Sequence, residues 1–430
     1  MLGHMSDDHF TYLGKRKIWG GEMPFGVRRG DRRNHTYVIG KTGTGKSTLL
    51  RNLILDDIES GQGVALIDPH GDLARDVLHH VPPWRTDDVV YFNPADLNFP
   101  IGLNLLERVS PHNRHRVASA VVESFKSLWR ESWGPRLEYI LYASVAALLD
   151  TESSTILGIP RMLTDARYRR WVVGQCKDSV VRSFWEKEFE RYDKRFLLEA
   201  IAPIQNKVGR LLMSAPVRNV LGQVRRKFDP RFMMDNRRIL IADLSRGILG
   251  EDKANFLGSL LVSSFELAAM SRANVAAGKR PDFNLVIDEF SNFTTDSFAS
   301  ILSEARKYGL ALVLAGQYTS QMSDVVRNAV FGNVGTHIAF RVGEQDAKVL
   351  AGEFGNTYAP ATFSSLDNFE VIAKMPFAGR YGEPFRATTN PPTDTGRTRQ
   401  IDVVQRSRER YASQRDVVEE KIQRFMERVF

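Results

Sequence analysis

Cysteine is nearly missing from this chain, because its 430 residues include only one, Cys176. A single thiol excludes an internal disulfide and a cysteine-rich metal site, and it indicates an intracellular compartment. The N-terminus also lacks the charged and apolar segments that make up a signal peptide. These two absences together predict a cytoplasmic protein.

Long apolar runs are missing as well. The longest nearly apolar run, residues 139–149, falls short of the about 20 residues that a membrane-spanning helix needs. It predicts a buried helix instead, and no transmembrane segment is expected in this chain. Residues 1–5 resemble a cloning scar before the natural start. An upstream membrane anchor, and with it recruitment to the inner face of the membrane, therefore stays open.

Acidic residues are fewer than basic residues. The chain carries 59 Lys and Arg against 51 Asp and Glu, a net charge of +8 with a pI near 9.4. This balance permits a nucleic acid or an anionic membrane as partner, although charge that only keeps a protein in solution looks the same. Residues 161–238 hold 19 Lys and Arg against 9 Asp and Glu. A basic surplus concentrated in one segment favours a single basic patch over charge spread across the surface, and DNA is the expected partner of such a patch.

The segment from Gly40 to Ser47 matches the phosphate-binding P-loop pattern, GxxxxGK[ST]. Its glycines let backbone N–H groups turn inward around the phosphates of ATP. Lys46 adds a positive charge beside the β- and γ-phosphates, and Ser47 offers a hydroxyl to Mg²⁺. A strand is predicted over 35–39 and a helix over 47–58, so the helix N-terminus faces the anion. The candidate nucleotide-binding residues are Gly40, Lys41, Thr42, Gly43, Thr44, Gly45, Lys46, Ser47 and Thr48.

A pair of acids ends a second apolar strand, predicted over 283–289, which is the Walker B pattern. Asp288 is expected to hold Mg²⁺, directly or through water, and Glu289 to polarise the attacking water as general base. Acids at the end of a buried strand need such a purpose, because an unpaired buried charge is costly. The metal candidates are therefore Ser47 and Asp288, and Lys46 and Glu289 are the first catalytic candidates.

Two further predicted strands end in polar residues. Residues 63–67 precede the turn from Asp68 to Asp72, and residues 310–315 precede Gln317. Ligands of open α/β sheets bind at the carboxyl ends of the strands, so these side chains are expected beside the nucleotide. A plain polar turn would show the same pattern. Gln317 is a further catalytic candidate, since a glutamine there can report hydrolysis to a bound polymer.

Strands alternate with helices over much of the chain, which predicts an α/β fold with a mainly parallel sheet. Strand signals vanish over 109–235, where helical periodicity predicts an inserted all-α domain. We therefore expect a discontinuous nucleotide-binding motor domain over 35–108 and 236–390. A basic arm is expected over 1–34, and a linker with one C-terminal helix over 391–430.

The order of these motifs, with Ala305 to Leu310 and Gly316-Gln317, resembles the TraG/TraD-like coupling ATPases of conjugation and type IV secretion, within the HerA/FtsK superfamily. The likeness covers about residues 30–390. The helical insertion and the Trp133-Gly134-Pro135 turn point more narrowly to coupling proteins. The resemblance implies a RecA-like P-loop core, ATP and Mg²⁺ as cofactors, and a homo-oligomeric ring, usually a hexamer, that moves DNA. Many members carry N-terminal transmembrane helices, which this chain does not show.

The resemblance also implies an arginine finger at Arg306, and the chain geometry agrees. The helix after Glu289 returns the chain to the sheet edge opposite the P-loop, a strand length or roughly 17–20 Å away. Arg306 is therefore expected to act in trans on a neighbour's nucleotide. The alternative is a surface arginine that the helix dipole stabilises. Arg341 follows a strand on the P-loop edge and is expected to serve its own site as a sensor.

Three functions stay open at this stage. The first is an ATP-driven DNA translocase, on single or double strands, that works as a ring. The second is a secretion motor that moves protein with the same core. The third is a HerA-like ATPase that assembles with a partner nuclease or effector. In each, the all-α insertion is the expected docking surface for a relaxosome, secretion-channel or nuclease partner. Glu289 and Arg306 weigh against a pure assembly switch, because both serve hydrolysis.

Overall fold

The computed structural model describes residues 9–107, 109–295, 298–377 and 379–430. The strands of the described chain are β1 Phe10–Ile18, β2 Gly21–Arg28, β3 Thr36–Ile39, β4 Gly63–Asp68, β5 Val89–Phe92, β6 Ile239–Asp243, β7 Phe283–Ile287, β8 Leu310–Gly316, β9 Thr336–Ala339, β10 Glu370–Lys374, β11 Pro376–Phe377, β12 Arg380–Tyr381 and β13 Phe385–Thr389. Eleven of these form one sheet in the order β2-β1-β13-β10-β9-β3-β8-β7-β4-β6-β5, while β11 and β12 pair separately.

The middle of the sheet is parallel, as the alternating pattern predicted. Within the series β9-β3-β8-β7-β4-β6 each strand runs parallel to the next, whereas β9 pairs with β10 in the antiparallel sense. Every residue of β4 and of β8 is buried, which fits parallel strands that are covered on both faces. Ile39 of β3 lies opposite Gly316 of β8, and Ile287 of β7 lies opposite Leu314. The carboxyl ends of these three strands therefore meet at one place.

The helices connect these strands or form the helical part of the chain. They are α1 Arg29–Arg32, α2 Lys46–Glu59, α3 Asp72–His80, α4 Arg114–Leu128, α5 Pro135–Leu149, α6 Gly158–Thr164, α7 Ala166–Gln175, α8 Ser179–Ser183, α9 Lys194–Leu212, α10 Ala215–Leu221, α11 Pro230–Asp235, α12 Arg246–Leu249, α13 Glu251–Ser271, α14 Phe298–Glu304, α15 Asp324–Asn333, α16 Glu344–Glu353, α17 Pro360–Ser364, α18 Gln400–Tyr411 and α19 Arg415–Glu427. The first two residues of the helix predicted over 296–307 lie outside the described residues, and its last turn, Ala305–Tyr308, is 3₁₀.

The predicted basic arm is wrong for the described residues 9–34, and the predicted scar at 1–5 lies outside them. β1 and β2 form an antiparallel hairpin, and β1 pairs with β13. Leu13, Phe25 and Val27 belong to the core of the sheet unit. Lys15, Arg16 and Lys17 follow one another in β1 and interrupt the alternation of buried and exposed residues that marks a strand. The segment therefore resembles a solvated charge cluster in the sequence.

The chain divides into two compact units. The sheet unit comprises the residues up to Tyr91, Pro230–Asp243 and Ala268–Arg406, and the helical unit comprises Phe92–Asp229, Leu244–Leu267 and Ser407–Phe430. The helical unit thus takes in residues 92–108, which the sequence assigned to the motor domain. Two backbone hydrogen bonds connect this segment to the chain in and after α10. The Leu103 N–H donates to the Val220 carbonyl at 3.0 Å, and the Lys227 N–H donates to the Gly102 carbonyl at 3.0 Å.

Aromatic side chains build the core of the helical unit. Phe184, Trp185 and Phe189 are buried, and Trp185 Nε1 donates to the Ala143 carbonyl at 3.2 Å. Because these rings are buried, they fill the core and are not available to stack on bases. Asp193 caps α9 by accepting from the two N–H groups of its first turn.

The C-terminal segment forms two helices where the sequence predicted one. Between α18 and α19 the Ser413 N–H donates to the Pro100 carbonyl at 3.1 Å, and the Arg415 N–H donates to the Asn98 carbonyl at 3.0 Å. These bonds stabilise an extended break that replaces helical bonds. Val418 and Ile422 on one face of α19 are buried, so this helix packs on its own unit.

One helix of the described chain could cross a membrane by length and composition alone, Glu251–Asn274, which includes α13 and the turn after it. Its most apolar stretch is 72% buried inside the protein, which is also what the core helix of a globular domain shows. This is weak evidence for a span.

Candidate nucleotide-binding site

The P-loop follows β3 and leads directly into α2. Gly43 and Gly45 have φ values of 77° and 117°, a region that a residue with a Cβ rarely adopts. The Leu49 N–H donates to the Gly45 carbonyl at 3.1 Å and begins the helix. The loop therefore turns its N–H groups and the helix N-terminus to the same point, which is the geometry that binds an anion.

The neighbouring strands hold the P-loop from both sides. The Gly40 N–H donates to the Gly316 carbonyl at 3.2 Å, and the Lys41 N–H donates to the Arg341 carbonyl at 2.9 Å. Thr44 Oγ1 closes the loop by donating to the Lys41 carbonyl at 2.7 Å. The loop is thus preorganised by the sheet.

The predicted nucleotide-binding and acidic residues meet around one cavity of about 450 Å³. Its lining includes most of the P-loop, the turn after β4, and the residues that follow β7 and β8. The lining residues are Thr42, Gly43, Gly45, Lys46, Ser47, Thr48, Asp68, His70, Asp72, Leu73, Asp288, Glu289, Gln317 and Phe369. Arg306 and Arg341 are not among them.

Lys46 is buried at the floor of this cavity, with 6% of its surface exposed. Its Nζ donates to the Gly40 carbonyl at 2.5 Å. Burial lowers the pKa of the ammonium group, and the carboxylates of Glu289 and Asp288 oppose that shift. The cation is therefore placed beside both acids, where phosphate oxygens would add partners.

Asp288 is almost completely buried beside two other carboxylates. Loss of solvent raises the pKa of Asp288 to about 7, and the charges of Asp68 and Glu289 add to the shift. A cation in the cavity would relieve the repulsion among these carboxylates. Asp288 and the Ser47 hydroxyl supply the hard oxygen ligands that Mg²⁺ prefers. Among the described residues no group of three or more His, Cys, Asp or Glu forms a complete metal site, which fits an ion that takes its other ligands from phosphate and water.

Replacing Asp288 by Asn should stabilise the nucleotide-free protein. Because the folded state raises this pKa above its ordinary value, the ionised carboxylate costs stability, increasingly as pH rises towards 7. We expect Asp288→Asn to raise the Tm by several degrees near pH 8, at about 2–4 °C per kcal/mol, and by less near pH 5. Thermal unfolding at both pH values measures this. The Mg²⁺-dependent gain in Tm with ATP should disappear.

The matched control is Asp72→Asn, whose carboxylate lines the same cavity but is 89% exposed. It should leave the Tm nearly unchanged. A lower Tm for Asp288→Asn near pH 8 would contradict the assignment of an uncompensated buried charge.

Glu289 is positioned by an unusual backbone and by one side-chain bond. Its φ is 48°, a left-handed conformation that costs energy for a residue other than glycine and that concentrates at functional sites. Gln317 Nε2 donates to Glu289 Oε1 at 2.8 Å. Gln317 directly follows β8, which lies between the P-loop strand β3 and the acidic strand β7. The second carboxylate oxygen of Glu289 can then accept a proton from a water molecule.

Arg341 borders the P-loop through its backbone, but its side chain points elsewhere. Nη1 donates to the Leu366 carbonyl at 3.2 Å and Nη2 donates to Asn368 Oδ1 at 3.0 Å. The side chain therefore supports the segment that leads to Phe369. Its role as a sensor stays a prediction.

Arg306 lies in the 3₁₀ turn directly before β8, with an exposed side chain. The seven residues of β8 separate this turn from Gln317, a distance of about 20 Å at 3.3 Å per residue. The geometry agrees with the expectation that this arginine does not reach its own nucleotide. Action in trans stays a prediction.

Two other arginines fix the turn that carries Arg306. Arg272 is fully buried; its Nη1 donates to the Tyr308 carbonyl at 2.8 Å and its Nε donates to Asp235 Oδ1 at 2.9 Å. Arg280 donates to the Lys307 carbonyl. Hydrogen bonds from buried or neighbouring arginines thus hold the backbone of the turn that carries the exposed side chain of Arg306.

No motif in the sequence indicates Phe369 as a residue of this site. This residue precedes β10 in a turn that lies far along the chain from the P-loop, yet its N–H donates to the Thr44 carbonyl at 2.8 Å. Only the pairing of β10 with β9 brings it to the cavity. A motif search cannot detect such a long-range contact.

Comparison with known proteins gives two family matches. Residues 18–191 match the model of the type IV secretion-system coupling protein DNA-binding domain, and residues 282–370 match the model of the TraM recognition site of TraD and TraG. Together they cover more than half of the chain. The type 4 coupling protein DotL of Legionella pneumophila is 23% identical over 84% of this chain and 53% of that protein. The chain thus spans about half the length of the curated relative it matches.

Solved structures share the fold. The bacterial conjugative coupling protein TrwBΔN70 matches 93% of this chain and 91% of its own, with a TM-score of 0.62 and 16% identity. TrwB in complex with ADP and Mg²⁺ matches 90% and 91%, with a TM-score of 0.62 and 18% identity. VirB4 of Thermoanaerobacter pseudethanolicus matches 88% and 95%, with a TM-score of 0.55 and 16% identity. The expected α/β class, with a mainly parallel sheet and an all-α part, is confirmed. On the two family matches, the chain belongs to the type IV coupling protein family.

Proposed function

We propose that this chain is an ATP-hydrolysing motor that moves DNA as a ring of identical subunits, with a hexamer as the expected form. The observation that carries the proposal is the single cavity that joins Lys46, Asp288 and Glu289. TrwB, which shares the fold, has been solved with ADP and Mg²⁺ and with analogues of GTP and ATP. We take ATP as the substrate and Mg²⁺ as the metal.

The phosphate-binding, acidic and amide side chains that meet at the cavity have distinct roles in this reaction. The P-loop amides and Lys46 bind the phosphates, and Ser47 and Asp288 would hold Mg²⁺, which would neutralise phosphate charge. Glu289 accepts a proton from a water molecule, whose oxygen bonds to the γ-phosphorus while the bond to the ADP oxygen breaks. The products are ADP and inorganic phosphate. Gln317 orients the Glu289 carboxylate, and Arg306 of a neighbouring subunit stabilises the charge on the transferring group.

DNA is the proposed polymer because the matched family model is named for DNA binding and because the helical unit carries the basic surplus. The measurement that tests the proposal is the ATPase rate without polymer, with single-stranded DNA and with duplex DNA. Stimulation by either DNA supports it and identifies the strandedness. Stimulation by a secreted protein with no response to DNA would favour a protein motor. ATP-dependent oligomerisation without turnover would favour an assembly switch.

DNA affinity should depend steeply on salt and little on sequence. If a ring contacts about six phosphates, log K should fall with log salt at a slope of roughly −5. Many basic side chains of the helical unit are paired internally, such as Arg169 with Glu190 and Arg226 with Asp229. Arg225 is exposed on the rim of a cavity of about 640 Å³.

Arg225→Glu combined with Lys227→Glu should therefore flatten the slope by about one for each lost contact. The control is Arg424→Glu on α19, where a 74% exposed arginine pairs with Glu420. Fluorescence anisotropy titrations at several salt concentrations measure the slope. An unchanged slope in the double variant would assign this surface to protein docking.

A further inference from the structure

We propose that the ring of Phe369 stacks on the base of the bound nucleotide, so that the turn over 366–369 forms a base subsite beside the P-loop. The inference rests on the proposed binding of ATP and specifies how the same cavity recognises the part of the ligand that the P-loop does not contact.

Phe369 is the aromatic residue in the lining of the nucleotide cavity, and 37% of its surface is exposed. Most of the other lining residues are polar or glycine, and in the proposed reaction Lys46, Ser47 and Asp288 serve the phosphates and the metal. An exposed ring within the same cavity leaves an apolar face for the remaining part of the ligand.

The ring lies against the beginning of α2. A Cβ added to Gly45 would come within 2.9 Å of Phe369 Cδ1 and 3.0 Å of Phe340 Cε1. Gly45 is thus needed to let the ring approach the point where the helix N-terminus faces the phosphates. A base attached through ribose to those phosphates lies within reach of this ring.

The backbone of Phe369 is held in a conformation that it would not choose alone. Its φ is 66°, an outlier for a bulky side chain. The Phe369 N–H donates to the Thr44 carbonyl at 2.8 Å, and its carbonyl accepts from the Thr389 N–H at 2.9 Å. Bonds on both sides of the residue maintain the strained conformation, which fixes the direction of the ring relative to the P-loop.

Arg341 is a positioning residue for this subsite. Its guanidinium donates to the Leu366 carbonyl and to Asn368 Oδ1, and its own carbonyl accepts from the Lys41 N–H. One residue thus ties the turn before Phe369 to the P-loop. This gives the arginine a purpose without contact to the phosphates.

Stacking on an aromatic ring recognises the face of a base and tolerates a change of its edge groups. Removing such a ring weakens binding by about 5- to 150-fold, or 1–3 kcal/mol at 1.4 kcal/mol for each tenfold change. Purines offer a larger face than pyrimidines. We therefore expect ATP and GTP to bind with similar affinity and CTP to bind more weakly.

The test compares a ligand with a base and a ligand without one, on the full chain with Mg²⁺. Calorimetry gives the Kd of a non-hydrolysable ATP analogue and of inorganic triphosphate. Phe369→Ala should raise the first Kd by 5- to 150-fold and leave the second unchanged, while Phe369→Tyr should retain both. Phe369→Trp should report the analogue, and not triphosphate, by a change in indole fluorescence.

Arg341→Gln should show the same selective loss with a smaller size. Its matched control is Arg386→Gln, which removes a half-exposed arginine that pairs with Glu370 on the adjacent strand; this variant should leave both Kd values unchanged. Equal weakening of both ligands by Phe369→Ala would overturn the base subsite in favour of a structural role. An unchanged Kd for the analogue would overturn it as well. A parent protein that binds neither ligand would instead refute the proposed function.

Discussion

Arg306→Ala should bind ATP with nearly the parent affinity and hydrolyse it about 10³- to 10⁵-fold more slowly, which is the range that an arginine finger contributes in related phosphoryl-transfer enzymes. The reason is geometric. Arg306 precedes β8 and the nucleotide cavity lies at the other end of that strand, so we propose that its charge acts on the nucleotide of a neighbouring subunit. Binding to one subunit keeps all of its contacts.

Mixing two inactive variants tests whether the arginine acts in trans. Arg306→Ala retains an intact P-loop and Lys46→Ala retains an intact arginine. In a mixed ring some interfaces combine the intact half of each, so hydrolysis should return in part and should vary with the mixing ratio and the protein concentration. The mixture is best assayed without DNA, because coordinated firing around the ring would hide the rescue.

The control for Arg306→Ala is Lys307→Ala, which removes an exposed cation from the same turn. Because Arg272 and Arg280 hold this turn by its backbone carbonyls, neither substitution should disturb its shape. Lys307→Ala should therefore retain the parent rate. If Arg306→Ala forms rings and turns over at the parent rate, the finger assignment fails and Arg341 is the next arginine to test.

Glu289→Gln should trap ATP in an almost inactive enzyme. The amide cannot accept a proton from water, so turnover should fall by about 10²–10⁴-fold. Its side-chain oxygen can still accept from Gln317 Nε2, as Glu289 Oε1 does at 2.8 Å, so the local structure should persist. Calorimetry should give an unchanged Kd for ATP, and a phosphate-release assay should show the loss of turnover.

Lys46→Ala provides the contrast, because it removes a phosphate contact that exists before the reaction. That variant should weaken ATP binding itself, together with turnover. If Glu289→Gln hydrolyses ATP at the parent rate, Glu289 is not the general base, and the hydrogen bond to Gln317 has a structural purpose.

The sequence predicts the nucleotide-binding strands within one or two residues, since their signals are local. β3, β7 and β8 are short apolar runs that end in the motifs that bind phosphate or carry acids. Their order along the chain also predicts a parallel sheet with the motifs at one edge. Likewise the helical insertion follows from periodicity within each helix.

Long-range pairing could not be predicted in this way. β1 and β2 carry exposed basic residues, and the place of their hairpin in the large sheet depends on β13, more than 350 residues later in the chain. Phe369 reaches the P-loop only because β10 pairs with β9, and no residue near it forms a motif. In both places the tertiary partner, and not the local pattern, determines the structure.

The length of β8 has a consequence for how the hydrolysis rate depends on the number of subunits in an assembly. With the nucleotide cavity at one end of this strand and Arg306 at the other, the proposed action in trans means that each subunit would receive an arginine from one neighbour and donate its own to another. An open row leaves an ATP without an arginine at one end and an arginine without an ATP at the other. Only a closed ring pairs every ATP with an arginine. The hydrolysis rate per subunit should therefore rise with the number of subunits in an open assembly and reach its maximum when the assembly closes into a ring.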